Sequence, residues 1–219
     1  TVPPDAGQTA AGFGRTTRLL HWAMAAGILG TAGLGAYVAR MEVGLANLWL
    51  FGLHKTIGIS LLAAALLRIG WHRIAPPPAP LPGPSDWQMR LARGTHRALY
   101  ALMLAVPLSG WAYGSATGID TVIFGRVTVP PIAPVSPEWE AALLLIHRTL
   151  AWSLLGLVAL HVAGALERAV VRRDGTLRRM LTGSAGRDAE AAPEDRKAAA
   201  RGNRESRPQT RDAAAGREG

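Results

Sequence analysis

Residues 141–171 read AALLLIHRTLAWSLLGLVALHVAGALERAVV and decide the fold of this chain. The stretch is almost wholly apolar and long enough to span a bilayer. It carries His147 and His161, fourteen residues apart. At 100° per residue both imidazoles leave one face of a helix, roughly 21 Å apart along its axis. Two ionisable side chains on one face of a membrane span indicate a functional site.

The composition limits what those histidines bind. The chain has 219 residues, 49% of them apolar, and no cysteine. Disulfides, thiolate-bound iron–sulfur clusters and covalently attached c-type haem are therefore excluded. Any haem must be haem b, held without a covalent bond to the chain. The net charge of +9 follows the flanks of the apolar blocks and the C-terminal tail, which argues against nucleic-acid binding.

Three more apolar blocks precede residues 141–171. We predict an all-α, integral-membrane four-helix bundle occupying residues 15–182 as one domain. We expect a loose N-terminus over 1–14 and, because the sequence there has almost nothing to bury, a disordered arginine-rich tail over 183–219. The four expected spans cover about residues 19–39, 49–71, 95–116 and 141–171.

The basic residues predict the orientation. Four spans place both termini on one side, and that side carries twelve arginines against four cations on the other. The positive-inside rule therefore makes both termini cytoplasmic. The twelve are Arg15, Arg18, Arg68, Arg73, Arg90, Arg93, Arg97, Arg168, Arg172, Arg173, Arg178 and Arg179, and the four are Arg40, Lys55, Arg126 and Arg148.

This orientation gives each histidine in the spans a depth. His21 and His161 fall near the inner face, and His54 and His147 fall near the outer face. A six-coordinate haem needs one imidazole on each side of its plane, so we expect two haems b bound by these two pairs. A zinc site would need about four ligands converging on one ion, which the separation of the levels forbids. A small residue also follows each histidine by four positions, as Gly58 follows His54.

Three other polar residues are candidates for the site. His96 lies at the inner level, where both axial positions are already filled, and a contact to a propionate or quinone and a purely interfacial position both remain open. Lys55 and Arg148 each follow an outer histidine. They either anchor helix ends by snorkelling or form a positive outer pocket that contacts propionates and attracts small anions.

Several motifs resemble the bacterial cytochrome b561 family over about residues 13–182. They are RLLHW around His21, HKTIGI around His54, HRALYALMLAVPLSGW in the third span, IHRTLAW and ALH around His147 and His161, and RDGTLRRML after them. The resemblance implies four helices that bind two b-type haems, with these four histidines as the ligands. It also implies electron transfer in the inner membrane, ubiquinone as the usual partner and, for some members, oxidation of superoxide at the outer face.

The function we predict is a multi-pass cytochrome of the bacterial inner membrane. It transfers single electrons between a donor or acceptor on the periplasmic side, with superoxide as one candidate, and the quinone pool. Whether it is itself a quinone-linked oxidoreductase stays open. One alternative is the haem b membrane subunit of a larger dehydrogenase or hydrogenase. The other is a haem-free membrane anchor or transporter. The expected partners are membrane lipid, a quinone and a small redox molecule, with no nucleic acid.

Overall fold

The computed structural model describes residues 12–79 and 85–183. The predictions for the N-terminal segment up to residue 11 and for the tail from residue 184 lie outside the described residues. Within the described ranges the chain is mostly helical, which confirms the main part of the predicted fold class. The helices are α1 (Arg15–Val38), α2 (Leu48–Ile74), α3 (Asp86–Ala116), α4 (Pro137–Leu166), its π-helical continuation (Glu167–Arg172) and α5 (Thr176–Thr182).

Three helical stretches in the described part of the chain are long and apolar enough to cross a membrane. They are α1, α2 and α4 together with its π-helical continuation. Their apolar side chains point outward: Leu29, Leu67 and Leu145 are 55%, 68% and 67% exposed. A continuous apolar surface of this kind suits contact with lipid rather than water. Helix α3 is less apolar, because its first twelve residues contain three arginines.

Helix α3 begins nine residues before the expected span. The prediction placed its start at residue 95, whereas the helix starts at Asp86. The backbone N–H of Ser85 donates to Oε1 of Gln88 at 3.1 Å, an arrangement that satisfies a donor at a helix start. Residues 86–94, which lie outside the four predicted spans, are therefore part of α3. Pro107 lies inside the helix without ending it.

The long helices pack in chain order. Helix α1 packs against α2, α2 against α3, and α3 most extensively against α4. Within the described ranges, α1 and α2 make hardly any close backbone contact with α4. A gap therefore separates α4 from α1 and α2. We call the end of the assembly where α1 starts and α4 finishes the terminal end, and the opposite end the hairpin end.

A two-stranded antiparallel hairpin covers the hairpin end. Strands β1 (Thr121–Ile123) and β2 (Val127–Val129) pair with Thr121 opposite Val129. They lie in the segment 117–140, where the sequence predicted only a loop, so the all-α prediction missed them. Phe124 and Gly125 form the turn with φ of 52° and 63°, the conformation that a tight hairpin requires. The hairpin packs mainly on α2.

Helix α5 folds back across the terminal end. The Asp174 carboxylate accepts from Nε of Arg168 at 2.6 Å and from the backbone N–H of Thr176 at 2.9 Å. These bonds stop the π-helical turn and begin α5. Nη1 of Arg18 then donates to the Leu181 carbonyl at 2.8 Å, and Nε1 of Trp22 donates to the Met180 carbonyl at 3.2 Å. Helix α5 thereby connects the end of α4 with the start of α1.

Candidate functional site

Two histidines face each other at the hairpin end. His54 lies in the second turn of α2, and His147 lies in the third turn of α4. Their ring centroids are 6.2 Å apart, and the ring planes stand at 85° to each other. We call this couple the hairpin-end pair. Because α2 and α4 are not closely packed, the two imidazoles reach toward each other across the gap.

A second couple spans the same gap at the terminal end. His21 belongs to the second turn of α1, and His161 lies near the end of α4. Their ring centroids are also 6.2 Å apart, with the planes at 60°. We call them the terminal-end pair. The structure thus brings the four histidines together in the two couples that their predicted depths suggested.

The spacing of both couples suits a metal ion held between two imidazoles. An imidazole nitrogen binds a transition metal at about 2.0–2.1 Å, so two rings on opposite sides of one ion have centroids about 6 Å apart. Beside the hairpin-end pair, a Cβ built on Gly58 would meet no atom within 4 Å. The residues present therefore fit a flat group with a central iron, as haem b has, at each couple.

Hydrogen bonds to Nδ1 prepare His147 for metal binding. This nitrogen lies 3.0 Å from the Val106 carbonyl, which accepts its proton. Ser109 Oγ lies 3.2 Å from the same nitrogen and itself donates to Val106. With the proton on Nδ1, the lone pair of Nε2 is available to a metal, an arrangement typical of metal-binding histidines. Helix α3 thus orients a side chain of α4.

Two glycines make room for the hairpin-end pair. A Cβ built on Gly35 of α1 would lie 2.9 Å from Cε1 of His54. A Cβ built on Gly110 of α3 would lie 2.9 Å from Cε1 of His147. Real Cβ atoms do not approach other atoms so closely, so a side chain at either position would displace an imidazole. Each histidine of this couple therefore packs on the bare backbone of a neighbouring helix.

A polar cluster surrounds the terminal-end pair. The ring of His96 lies 5.1 Å from that of His161, nearly perpendicular to it, and Nδ1 of His96 bonds the Ala92 carbonyl at 2.8 Å. On the other side, Nη2 of Arg68 lies 3.4 Å from Nδ1 of His21. Nε of Arg68 donates to the Tyr100 hydroxyl at 3.1 Å. Sequence reasoning had left open whether His96 contacts a propionate or quinone or is purely interfacial, and it had predicted no site role for Arg68.

Lys55 of α2 and Arg148 of α4 both lie beside the C-terminal end of α3. A Cβ built on Gly114 would be 3.4 Å from Nζ of Lys55 and 3.2 Å from Oγ1 of Thr121. Lys55 is therefore held under the hairpin, where it interacts electrostatically with the opposite charge of Asp120. Arg148 is exposed and interacts with Tyr113, the residue before Gly114. Both cations thus remain near the hairpin-end pair, Lys55 partly covered and Arg148 open to the surroundings.

The sequence signal for Arg68 is its position. Arg68 follows His54 by fourteen residues, the spacing that separates His147 from His161, so it lies at the terminal-end level of α2. The orientation count had included it among the flanking cations, but it is 8% exposed. Omitting it leaves eleven arginines against four cations, and the predicted orientation does not change.

Comparison with known proteins places these features in context. The family model described as "Prokaryotic cytochrome b561" matches residues 12–183. The chain is 34% identical over 173 residues to "Cytochrome b561 homolog 2" of Escherichia coli (strain K12), which covers 77% of this chain and 90% of the relative. "Cytochrome b561 homolog 1" of the same organism is 36% identical over 106 residues, which is 48% of this chain and 58% of that protein.

A third relative has a name that describes an activity. The protein named "Probable superoxide oxidase CybB" from Yersinia pestis is 29% identical over 133 residues, covering 61% of this chain and 75% of that protein. The segment matched by the family contains both histidine couples, the hairpin and α5. The similarity therefore extends over the whole described site.

Proposed function

Because this chain belongs to the prokaryotic cytochrome b561 family of membrane haem b electron-transfer proteins, we propose a specific form of that function for it. The terminal-end pair and the hairpin-end pair each hold one haem b. The protein spans the bacterial inner membrane four times and passes single electrons between a redox molecule at the outer face and the quinone pool.

The geometry of the two histidine couples carries this proposal. Each couple has the centroid separation of 6.2 Å that an ion between two imidazoles requires. His147 and His161 are on one helix, so the couples lie roughly 21 Å apart along α4. One site is therefore near each end of the membrane-crossing helices, and together the two sites form a path across the membrane.

The chain's own residues determine what chemistry is available. Haem b supplies a one-electron iron couple when it is bound. Because each iron would have an imidazole on both sides, no coordination position is open to oxygen. The Val106 carbonyl keeps the proton of His147 on Nδ1, so Nε2 faces the gap as a ligand. The donor and the acceptor must then exchange electrons at the edges of the two sites.

The charge distribution sets the direction of the path. The terminal end carries the excess of arginine, so we assign it to the cytoplasmic side together with both termini. The hairpin end then faces the periplasm. Quinone reaches the protein from the bilayer, and we place its exchange of electrons at the terminal end, where His96 lies against His161.

A small anion is the electron donor that best suits the hairpin end. Lys55 and Arg148 add two positive charges beside the hairpin-end pair, and a cleft with apolar walls strengthens their attraction for an anion. The relative named as a probable superoxide oxidase supports superoxide as this donor. An alternative partner is a larger dehydrogenase or hydrogenase that delivers electrons to the same end.

The purified protein in liposomes with ubiquinone tests the proposal. Superoxide generated outside should reduce both haems and then the quinone, at a rate that falls as ionic strength rises. The double variant Lys55→Gln/Arg148→Gln should be slower by about tenfold or less and show a flatter salt dependence with both haems retained. The matched control is Arg40→Gln, an exposed cation in the loop between α1 and α2, which should keep the wild-type rate.

The outcomes separate the alternatives. A colourless, well-folded protein would indicate the haem-free anchor or transporter. Bound haems that are reduced only after a large redox subunit is added would indicate the subunit of a larger complex. An unchanged rate and salt slope in the double variant would show that Lys55 and Arg148 anchor helix ends and would remove the support for an anionic donor.

A further inference from the structure

Arg68 is a buried cation with no counter-charge among the residues that the structure describes. It lies in α2, one of the most apolar helices of the chain, and is 8% exposed. In the described ranges the ion pairs join Arg168 with Asp174 and Arg172 with Glu167, and no carboxylate lies within ion-pair distance of Arg68. A buried guanidinium is costly unless an anion pairs with it. The burial of Arg68 therefore points to an anionic partner outside the described part of the chain.

The hydrogen bonds of Arg68 show which part of its guanidinium is free. Nε donates to the Tyr100 hydroxyl at 3.1 Å, and that hydroxyl lies 3.2 Å from Nδ1 of His72. Nη1 is buried and has no hydrogen-bond partner in the described part of the chain. Nη2 has a weak contact of 3.4 Å with Nδ1 of His21. Tyr100 thus fixes one edge of the guanidinium, and the two η nitrogens form the unsatisfied edge.

Metal binding by His21 would leave Nη2 without an acceptor as well. With Nδ1 turned toward Arg68, Nε2 is the nitrogen of His21 left to bind a metal. A neutral imidazole that binds through Nε2 carries its proton on Nδ1 and becomes a donor there. Two donors then face each other, and both η nitrogens of Arg68 need an acceptor. A carboxylate with two oxygens matches such a pair of N–H groups.

We propose that Arg68 binds a propionate carboxylate of the haem at the terminal-end pair, through Nη1 and Nη2. The inference rests on the proposed function, because it requires haem b between His21 and His161. Tyr100 acts as a positioning residue that holds the guanidinium through Nε, and His72 orients the Tyr100 hydroxyl in turn. Lys55, Arg148 and His96, the candidates from the sequence, are not needed for this contact.

Arg68 also sets the redox behaviour of the terminal-end haem. Oxidation adds one positive charge at the iron, and a buried cation nearby disfavours that change. The charge of Arg68 therefore favours the reduced haem. Replacing Arg68 with a neutral side chain leaves the propionate unpaired, so the reduction potential of this haem should fall. The hairpin-end haem, about four helical turns away, should change much less.

The test combines variants with a chemically altered cofactor. Wild type, Arg68→Leu, Arg68→Lys and Tyr100→Phe are each reconstituted with haem b or with its dimethyl ester, which has no propionate charge. The matched control is Arg73→Leu, an exposed cation five residues further along α2. The measurements are haem per chain, the rate of haem loss to a scavenger and the midpoint potentials of the two spectral components.

For the proposal to hold, Arg68→Leu must lose the terminal-end haem about tenfold faster than wild type or more. At a fixed potential it should shift the oxidised-to-reduced ratio of that haem about tenfold toward the oxidised form, which is about 59 mV for one electron. Arg68→Lys should keep the midpoint potential closer to the wild-type value, but it should not keep the wild-type retention of haem. Tyr100→Phe should lower both the haem retention and the midpoint potential by less than Arg68→Leu does. With the dimethyl ester, wild type should lose the terminal-end haem about as fast as Arg68→Leu loses haem b, because neither has the ion pair. Its potential should rise instead of falling, because the ester removes the negative propionate charges and leaves Arg68 in place. Arg73→Leu should match wild type throughout.

Three different results would each identify what has failed. If wild type binds haem b at both couples and Arg68→Leu retains both haems at unchanged potentials, the propionate contact is wrong while the proposed function stands. If Arg68→Leu weakens the dimethyl ester as much as haem b, Arg68 pairs with another anion, such as a lipid phosphate, and the inference fails. If wild type binds no haem between His21 and His161, both the proposed function and this inference are wrong.

Discussion

Gly35 and Gly110 determine how closely two histidines approach the neighbouring helices. Both would place a Cβ at 2.9 Å from an imidazole carbon, so neither tolerates a side chain without movement of the ring. The bond from His147 to the Val106 carbonyl shares the helix face that Gly110 opens. The position of the hairpin-end pair therefore depends on residues that carry no functional group.

We predict that Gly35→Ala and Gly110→Ala each weaken the hairpin-end haem and leave the terminal-end haem intact. The added methyl group overpacks the imidazole, which typically costs about 1–3 kcal/mol. Haem content and the two components of the reduced-minus-oxidised spectrum measure the effect. The control is Gly33→Ala, because a Cβ there meets no atom within 4 Å. Equal haem loss in Gly33→Ala, or none in the other two, would contradict this explanation.

At the scale of single residues, the sequence predicted which histidines lie together better than it predicted the residues around them. The fourteen-residue spacing of His147 and His161 follows from helix geometry and needs no tertiary information. The environment of Arg68 does not follow from helix geometry, because an arginine near the end of an apolar helix equally suits an interfacial anchor. Only the packing of Tyr100 beside it distinguishes a buried cation from a snorkelling one.

The elements follow local rules except where tertiary contacts stabilise them. Helices α1, α2 and α4 are evident from their length and hydropathy. The start of α3 is also local, because it depends on the contact between Ser85 and Gln88, but a span boundary drawn from hydropathy alone misses it. The hairpin strands have three residues each and are too short to show an alternating pattern.

The connection from α4 to α5 depends on one carboxylate. Asp174 accepts from Arg168 and from Thr176. Burial alone would raise the pKa of Asp174, but the hydrogen bonds from Thr176 and the nearby Arg168 outweigh it and lower that pKa. A lowered pKa means that the ionised carboxylate stabilises the folded state. Its contribution is present above the ordinary aspartate pKa of about 4 and is lost as the pH falls through the lowered value.

We therefore predict that Asp174→Asn releases α5 at neutral pH. The local free energy of opening should fall by about 1 kcal/mol, which makes the amides of α5 exchange about fivefold faster. Wild type should show the same release only at acid pH. Hydrogen exchange of Thr176–Thr182 gives the measurement. Glu167→Gln, which affects the more exposed ion pair with Arg172, should change exchange less, and an equal change would contradict the role given to Asp174.

At the scale of the whole molecule, the gap between α4 and the pair α1–α2 is the central feature. Its existence could not be predicted from hydropathy, which indicates that helices form but not how far apart they pack. The matched depths of the histidines supplied that information, because a cofactor between two helices keeps them apart. Because the helices pack in chain order and α4 contacts mainly α3, the gap stays open at the levels of both histidine couples.

The haem-to-protein ratio tests the central claim most directly. Purified protein is denatured in acidic organic solvent, and the extracted haem is quantified against the chain concentration. We predict two haems b per chain for wild type, all extractable because the sequence has no cysteine, and one haem per chain for each single alanine variant of His21, His161, His54 and His147. His21→Ala and His161→Ala should lose one spectral component, and His54→Ala and His147→Ala the other. A ratio of one or none in well-folded wild type, or loss of the same component in His21→Ala and His54→Ala, would contradict the account.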